Sequence, residues 1–300
     1  MYLVYKVMMT EGRDTMLRFS IITVCLNAEQ CIRDTIQSVL NQTSACFEYI
    51  IKDGLSSDKT VSIAQSFSRA FAERGISYRI ISQKDSGVYD GMNQAIQESQ
   101  GEWLLFMNAG DRIANNTILA QVEQQSCLQE ADIVFGDVIR QNRQWFQYNK
   151  ARQLEYFRLG LPFSHQSVFT KKGLFEEKMY STELIVNSDY SFYWQCYQEK
   201  KKFHYIPIAI SIVDIHGISS NWRNKYLEKL KLMENRLVRD EEAIEKIKEI
   251  IARAKRNEFM HHYLWRFIPK KLRERRRMIK DRQAGWKSEE EFFGKKKDKI

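Results

Sequence analysis

Cysteine, proline and long apolar runs are all scarce in this chain, and each scarcity excludes a class of protein. The five cysteines, Cys25, Cys31, Cys46, Cys127 and Cys196, are odd in number and include no CxxC pair. A disulfide framework and a zinc cluster are both disfavoured, and a reducing cytoplasm is the simplest setting. Three prolines and 13 glycines in 300 residues exclude collagen-like and Pro/Gly low-complexity chains. No apolar run approaches the roughly 18–20 residues that a membrane-spanning helix needs. Residues 1–17 are mildly hydrophobic, but Lys6, Glu11, Arg13 and Asp14 make them a poor signal peptide. They read as a disordered leader, with Met16 as an alternative start. Neither GxGxxG nor GxxxxGKS/T occurs. The usual Gly-rich loops for a pyrophosphate are missing, so a dinucleotide dehydrogenase or a P-loop enzyme fits poorly.

What is present is enough apolar surface for a sizeable core: 43% hydrophobic and 12% aromatic residues rule out a wholly disordered chain. The formal charge of +9 is unevenly placed. Residues 1–252 hold 30 Lys and Arg against 31 Asp and Glu, whereas residues 253–300 hold 17 against 7. The basic character therefore belongs to the tail, and the body is near neutral.

From residue 19 the pattern alternates. Residues 19–26 (FSIITVCL), 47–52 (FEYIIK), 77–81, 103–107 and 133–135 read as buried strands. Residues 31–41, 58–71, 88–97 and 117–129 carry helical spacing. A β-α-β-α order implies an α/β fold with a mostly parallel sheet and helices on both faces. Beyond residue 140 the regular alternation stops, with a helix expected near 189–200 and a strand near 204–213. Residues 221–255 are helical in composition, and Leu227, Leu230, Met233, Leu237, Ile244, Ile247 and Ile251 keep an approximate heptad spacing that suits packing on the domain's own sheet or on a partner chain.

Ligands of parallel sheets bind beyond the carboxyl ends of the strands. Those ends supply Glu29, Asp53, Asp85, Asp90 and Asn108 to Asp111. Clustered carboxylates hold a divalent cation, which in turn holds phosphates; single carboxylates accept hydrogen bonds from bases or ribose. Each end also admits a plain turn or cap reading, including Asp58 as a helix start. Four polar or acidic ends in one sheet favour a site over four coincidental turns.

The segments FSIITVCLNAE, FEYIIKDGLSSDKT, ISQKDSGVYDGMNQAI and QGEWLLFMNAGDRI, in that order, resemble the family 2 glycosyltransferases with the GT-A fold, and within them bacterial enzymes of polysaccharide or colanic-acid-type synthesis. The match covers residues 19–137 well and continues more weakly through PFSHQSVFTKKG, NSDYSFYW and HGISS to about 220. The resemblance implies the following roles. Asp53 contacts the nucleotide base, usually uracil; Glu29 and Asp85 line the nucleotide pocket. MNAGD stands where the family's DxD binds the diphosphate through Mg²⁺ or Mn²⁺, with Asn108 and Asp111 as ligand candidates and Asp111 as the metal carboxylate. Asp189 is the catalytic base. His216, with Gly217, Ile218 and Ser219, resembles a late segment near the donor. Two departures stand out: the DxD slot reads Asn108-Ala109-Gly110, and the acid expected before the base is Ser188. An amide oxygen and one carboxylate are weaker cation ligands than two carboxylates.

The function implied is single-displacement transfer of a sugar from a nucleotide-sugar donor, UDP-linked by family habit, to a hydroxyl of a saccharide or lipid-linked acceptor. Asp189 has the competing reading of a helix N-cap. His165 and His216 each have a structural alternative, His204 reads as structural, and Tyr89, Trp103 and Trp194 are stacking candidates, Trp103 more simply core. The layout expected is a leader over 1–17, a glycosyltransferase domain over 18–220 (nucleotide part 18–137, acceptor part 138–220) and a helical basic extension over 221–300. Residues 257–286 mix aromatics with dense Arg and Lys, which suits an anionic membrane surface at the inner face of the cell membrane. Nucleic-acid binding is not expected, and a homo-oligomer contact is an alternative use of the extension. A non-catalytic membrane scaffold on the same fold is the competing function.

Overall fold

The computed structural model describes residues 3–6, 18–216, 222–234, 240–264 and 281–293. The strands β2 (Phe19–Cys25), β3 (Phe47–Asp53), β4 (Ser77–Ser82) and β5 (Trp103–Phe106) form where apolar, largely β-branched and aromatic residues are concentrated, with Ser20, Glu48, Lys52 and Asp53 as buried polar exceptions. β2 pairs in parallel with both β3 and β5, and β3 pairs in parallel with β4. Both faces of this half are covered, so the strand residues divide by parity. Phe19, Ile21, Tyr49, Ile51, Trp103 and Leu105 pack on one side, with Ile32, Ile36 and Val39 of α1 (Ile32–Leu40). Ile22, Ile50, Leu104 and Phe106 pack on the other, with Met92, Ala95 and Ile96 of α4 (Val88–Glu98).

The expected helix over 58–71 is two short ones, α2 (Thr60–Gln65) and α3 (Ser68–Glu73). Ser66 Oγ donates to the Ile63 carbonyl, a local bond that competes with helix continuation. The helix expected over 117–129 is likewise α5 (Ile118–Glu123) followed by a separate 3₁₀ turn, Ser126–Gln129. The short strand expected at 133–135 runs on as β7 (Ile133–Asn142).

Antiparallel strands, not anticipated, complete the second half. β9 (Val168–Lys171) lies antiparallel between β5 and β7. β10 (Phe203–Asp214) is parallel to β7, and the two-residue β6 (Arg112–Ile113) is antiparallel to β10. β8 (Trp145–Asn149) folds back on β7. Among the described residues the sheet has eleven strands. α6 (Gly173–Glu177) and α7 (Ser188–Gln198) cover its second half, and Phe157, Phe163, Phe175, Tyr180, Phe192 and Tyr193 form an aromatic core beneath α7. Trp103 and Trp194 are both core residues.

The ends of the chain return to the sheet. Leu3–Lys6, within the expected leader, is an edge strand (β1) antiparallel to β4. α8 (Trp222–Glu234) and α9 (Glu241–Leu264) bury Met233, Ala243, Ile247 and Ile251 in the domain's own core. β11 (Lys287–Ser288) pairs with β8, and Phe292 and Phe293 pack on Phe146 at centroid distances of 5.9 and 5.1 Å. No helix among the described residues is long and apolar enough to cross a membrane. Gly217, Ile218 and Ser219, and most of the basic 257–286 stretch, lie outside the described residues.

Candidate active site

The loops after β2 and β3 are tied to each other before they form a rim. Asn27 has a left-handed φ of 50° and Leu55 one of 67°. Asn27 N–H donates to Ser56 Oγ at 2.7 Å, and Asn27 Oδ1 accepts from Ser57 N–H at 2.9 Å. Asp58 Oδ2 accepts from Glu29 N–H, and Glu29 Oε2 accepts from Lys59 N–H, both at 3.0 Å. Asp58 Oδ1 also accepts from Thr60 N–H at 2.9 Å. The acidic residues of these loops, Glu29 and Asp58, are thus spent on backbone donors that shape the mouth.

Behind them, Asp53 is fully buried. Its carboxylate accepts from Ser56 N–H at 3.0 Å, from Ser82 Oγ at 2.7 Å and from Ser56 Oγ. Lys52, also fully buried, donates to Asp85 at 2.9 Å and to the Gln83 carbonyl at 2.6 Å. A Cβ on Gly54 would come within 2.9 Å of Asp85 Oδ2, so only glycine admits Asp85 to this position. Removing one member of such a buried pair costs about 3–5 kcal/mol, because the other charge is left uncompensated. Asp90, in the first turn of α4, accepts from Ser86 N–H at 2.7 Å, and that bond holds its carboxyl below the usual range.

A cleft of about 800 Å³ opens beside this rim. One wall carries Asn108, Asp111, Asp214 and His216. Gly110, at φ 101°, turns the chain so that Asp111 N–H donates to the Asn108 carbonyl at 2.9 Å. The Asp111 carboxylate is buried and accepts from Asp214 N–H at 3.1 Å. Burial drives its pKa up to about 7, opposed by that N–H and by Gln166 and raised further by the Asp214 charge. Asp214 Oδ1 accepts from His216 N–H at 2.8 Å, and His216 Nε2 meets Asn142 Oδ1 at 3.1 Å. The Asn108 Oδ1 atom is buried and has no hydrogen-bond partner among the described residues. No group of three or more His, Cys, Asp or Glu side chains among the described residues converges as a ready metal site.

The cleft is also lined by Asp189, in the first turn of α7. The N-cap of that helix is Asn187, so the capping alternative for Asp189 does not apply. Asp189 Oδ1 accepts from Tyr190 N–H at 2.8 Å and from Tyr89 Oη at 3.0 Å; Tyr89 also reaches the Val186 carbonyl at 2.7 Å. The second oxygen, Oδ2, has no partner among the described residues. The segment before Asp189 is fixed from α8. Glu228 Oε1 accepts from Ile185 N–H at 2.6 Å, and Oε2 accepts from Val186 and Asn187 N–H at 2.9 and 2.8 Å. Lys225 and Lys229, also on α8, line the cleft. His165 is buried on the cleft wall, stacked on Phe106 at 5.1 Å and bonded to Tyr180 Oη at 2.9 Å; burial holds its pKa below the ordinary histidine value. His204 is exposed on β10.

Residues 20–191 match the family model "Glycosyl transferase family 2". The chain is 31% identical over 224 residues to the PGL/p-HBAD biosynthesis glycosyltransferase of Mycobacterium tuberculosis, covering 73% of this chain and 86% of that protein. The chain belongs to glycosyltransferase family 2. Among solved structures, S. aureus TarS 1–349 in complex with UDP-GlcNAc aligns with a TM-score of 0.59 at 16% identity, over 79% of this chain and 71% of that one. The same TarS segment in complex with UDP is covered over 65% of its length, with a TM-score of 0.53. Mannosyltransferase PcManGT from Pyrobaculum calidifontis, in complex with GDP-Man and Mn²⁺, aligns with a TM-score of 0.59 at 13% identity, over 78% of this chain and 68% of that one. These likenesses establish the GT-A-like fold.

Within this family 2 glycosyltransferase the structure gathers Asn108, Asp111, Asp189 and His216 on one cleft and leaves Glu29, Asp53 and Asp85 off its lining, Glu29 bonded within the rim loops and Asp53 and Asp85 bonded behind them. Sequence reasoning missed Asp214, Lys225, Glu228 and Lys229. Asp214 closes a strand whose alternation was visible, and its position two residues before His216 was the available signal. The α8 residues gave none, because their heptad-like spacing marks the core-facing side and not the face turned to the cleft.

Proposed function

We propose that this family 2 enzyme transfers a hexose, with inversion, from a UDP-linked sugar to a hydroxyl of a saccharide or lipid-linked acceptor during synthesis of a cell-surface polysaccharide or glycoconjugate. The observation that carries this reading is that Asp111 and Asp189, 78 residues apart in the sequence, line one cleft beside Asn108 and Asp214. The acceptor hydroxyl oxygen attacks the anomeric carbon. The bond from that carbon to the diphosphate oxygen breaks, and its electron pair leaves with the nucleoside diphosphate. The hydroxyl proton passes to the unengaged Oδ2 of Asp189, directly or through one water.

The donor diphosphate lies at the Asn108, Asp111 and His216 wall. The orphan Asn108 oxygen and the two carboxylates Asp111 and Asp214 suit a divalent cation, Mg²⁺ or Mn²⁺, with oxygen ligands. When bound there it offsets negative charge on the leaving group. Asp53, Asp85 and Glu29 serve the nucleotide end by holding its loops, Asp53 through Ser56 and Ser82. Leu26 and Ile185, each 58% exposed, give the cleft an apolar rim that suits a lipid-linked acceptor. The protein works in the cytoplasm at the inner face of the membrane, held by residues 257–286 on anionic lipid.

Calorimetry of UDP with and without Mn²⁺, alongside a transfer assay over nucleotide sugars, tests the reading. UDP binding weakened by Asp53→Ala and sugar transfer by the wild type are expected. The competing reading, a non-catalytic membrane module, draws on the replaced DxD acids. It requires binding to anionic liposomes, lost on deleting 257–300, with no transfer or hydrolysis of any donor.

A further inference from the structure

Lys225 and Lys229 stand four positions apart on α8, so they project from one face of the helix. That face is turned to the cleft: both side chains line it. Lys229 is only 5% exposed. Its ammonium donates to the Leu159 carbonyl at 2.5 Å and sits 4.2 Å from the Tyr190 ring centroid. A Cβ on Gly160 would lie 3.1 Å from the Lys229 Nζ, so the glycine leaves room for that ammonium. Neither lysine forms an ion pair among the described residues. Arg140 on β7 adds a third positive charge acting on Lys225, and it too has no ion pair among the described residues. Glu228, the acid that stands between them on the helix, spends both oxygens on the N–H groups of Ile185, Val186 and Asn187.

A buried ammonium held by a carbonyl and an aromatic ring, without a carboxylate, is an expensive arrangement for stability alone. Burial and the neighbouring Lys225 charge pull Lys229 down to about 7. The Lys229 ammonium lies over the ring of Tyr190, the residue after Asp189, and the Lys225 carbonyl accepts from Asn187 Nδ2, two residues before it, at 2.9 Å. The cationic face therefore belongs to the Asp189 end of the cleft, and the Asp189 charge acts on both lysines.

We infer that Lys225 and Lys229 form an anion subsite for the acceptor, which carries a phosphate or carboxylate group close to the hydroxyl that is glycosylated. This rests on the reading of Asp189 as the acceptor-side base. An anion seated on the two ammonium groups supplies the missing counter-charge, and it places the acceptor with its hydroxyl toward Asp189. Charge-assisted contacts of this kind change affinity by about tenfold or more.

The test is a titration of the full-length protein, saturated with UDP so that the donor end is filled. Inorganic phosphate, glucose 6-phosphate, glucuronate and glucose are the probes, and wild type is compared with Lys225→Ala, Lys225→Glu and Lys229→Met. Because Lys225 is exposed, its variants fold whatever happens at Lys229. The expected result is binding of the charged sugars about tenfold tighter than of glucose, weakened about tenfold by Lys225→Ala and abolished by Lys225→Glu, with UDP affinity unchanged. The stronger of glucose 6-phosphate and glucuronate identifies which anion the acceptor carries. Equal binding of charged and neutral sugars, or charged-sugar binding untouched by either Lys225 variant, overturns the subsite. A matching fall in UDP affinity overturns it as well, by assigning the lysines to the donor. If wild type fails to bind UDP, the donor reading falls alone, and the same titration without UDP still decides the anion subsite.

Discussion

At Asp189, which lines the cleft, one carboxylate oxygen is engaged by Tyr89 and the Tyr190 N–H, while the other has no partner among the described residues. Asparagine preserves the bonded oxygen but cannot take a proton. Asp189→Asn is therefore expected to lower kcat by about 10²–10⁴-fold while UDP affinity holds, as read by transfer kinetics and calorimetry. Unchanged kcat would remove this residue from the mechanism. Lys229 makes a prediction of another kind. Its folded pKa is about 7 and its unfolded value about 10.5, so between those limits the unfolded chain binds more protons. Its contribution to stability therefore rises with pH from about 7 upward. In urea unfolding at pH 7, 8 and 9, wild type should gain on Lys229→Met by on the order of 1 kcal/mol per pH unit. A difference that stays flat with pH would contradict the buried, unpaired state of this lysine. Both residues were unequally visible beforehand: Asp189 stood in a recognisable NSDY segment, whereas Lys229 was one lysine among many in a charged helix.

Elements differ in the same way. β2, β3 and β5 could be read directly, because strands buried on both faces need apolar residues at most positions, and that requirement is local. β6, β8 and β9 could not, since two to five residues with mixed burial carry no period of their own; they become strands only by finding β10 and β7 as partners. At the break between α2 and α3 the Ser66 hydroxyl donates to the Ile63 carbonyl and Phe67 N–H turns to the Ala64 carbonyl, local bonds that no apolar period announces. The contact of α8 with the segment leading into α7 is of this non-local kind, joining residues some forty positions apart through Glu228. Replacing it with alanine strands donors that are partly buried, at a cost of about 1–3 kcal/mol. Glu228→Ala should speed amide exchange at Ile185, Val186 and Asn187 and lower kcat several-fold without moving UDP affinity. Glu228→Gln, which keeps one acceptor oxygen, should fall between. Exchange at these amides equal to wild type would show that the segment is held by other means.

On the scale of the whole molecule, the tail returns to the body. β11 extends the sheet beyond β8, and Phe292 and Phe293 cover Phe146. A chain ending at residue 280 should expose that phenylalanine and the β8 edge, lowering Tm by several degrees and raising binding of a hydrophobic dye. An identical melting curve would mean that this contact adds nothing to the fold. The sequence by itself determined the α/β class, the parallel first half, the resemblance to family 2 and the residues Asn108, Asp111 and Asp189, because periodicity, strand-end polarity and ordered motifs are all written along the chain. Only the tertiary structure decided that Asp53 and Asp85 are consumed by Ser56, Ser82 and Lys52, and that Asp214 and the α8 lysines join the cleft. The reason is physical. Whether a charged side chain is free to meet a ligand depends on what fills its hydrogen-bonding capacity, and those partners come from elements far apart in the chain.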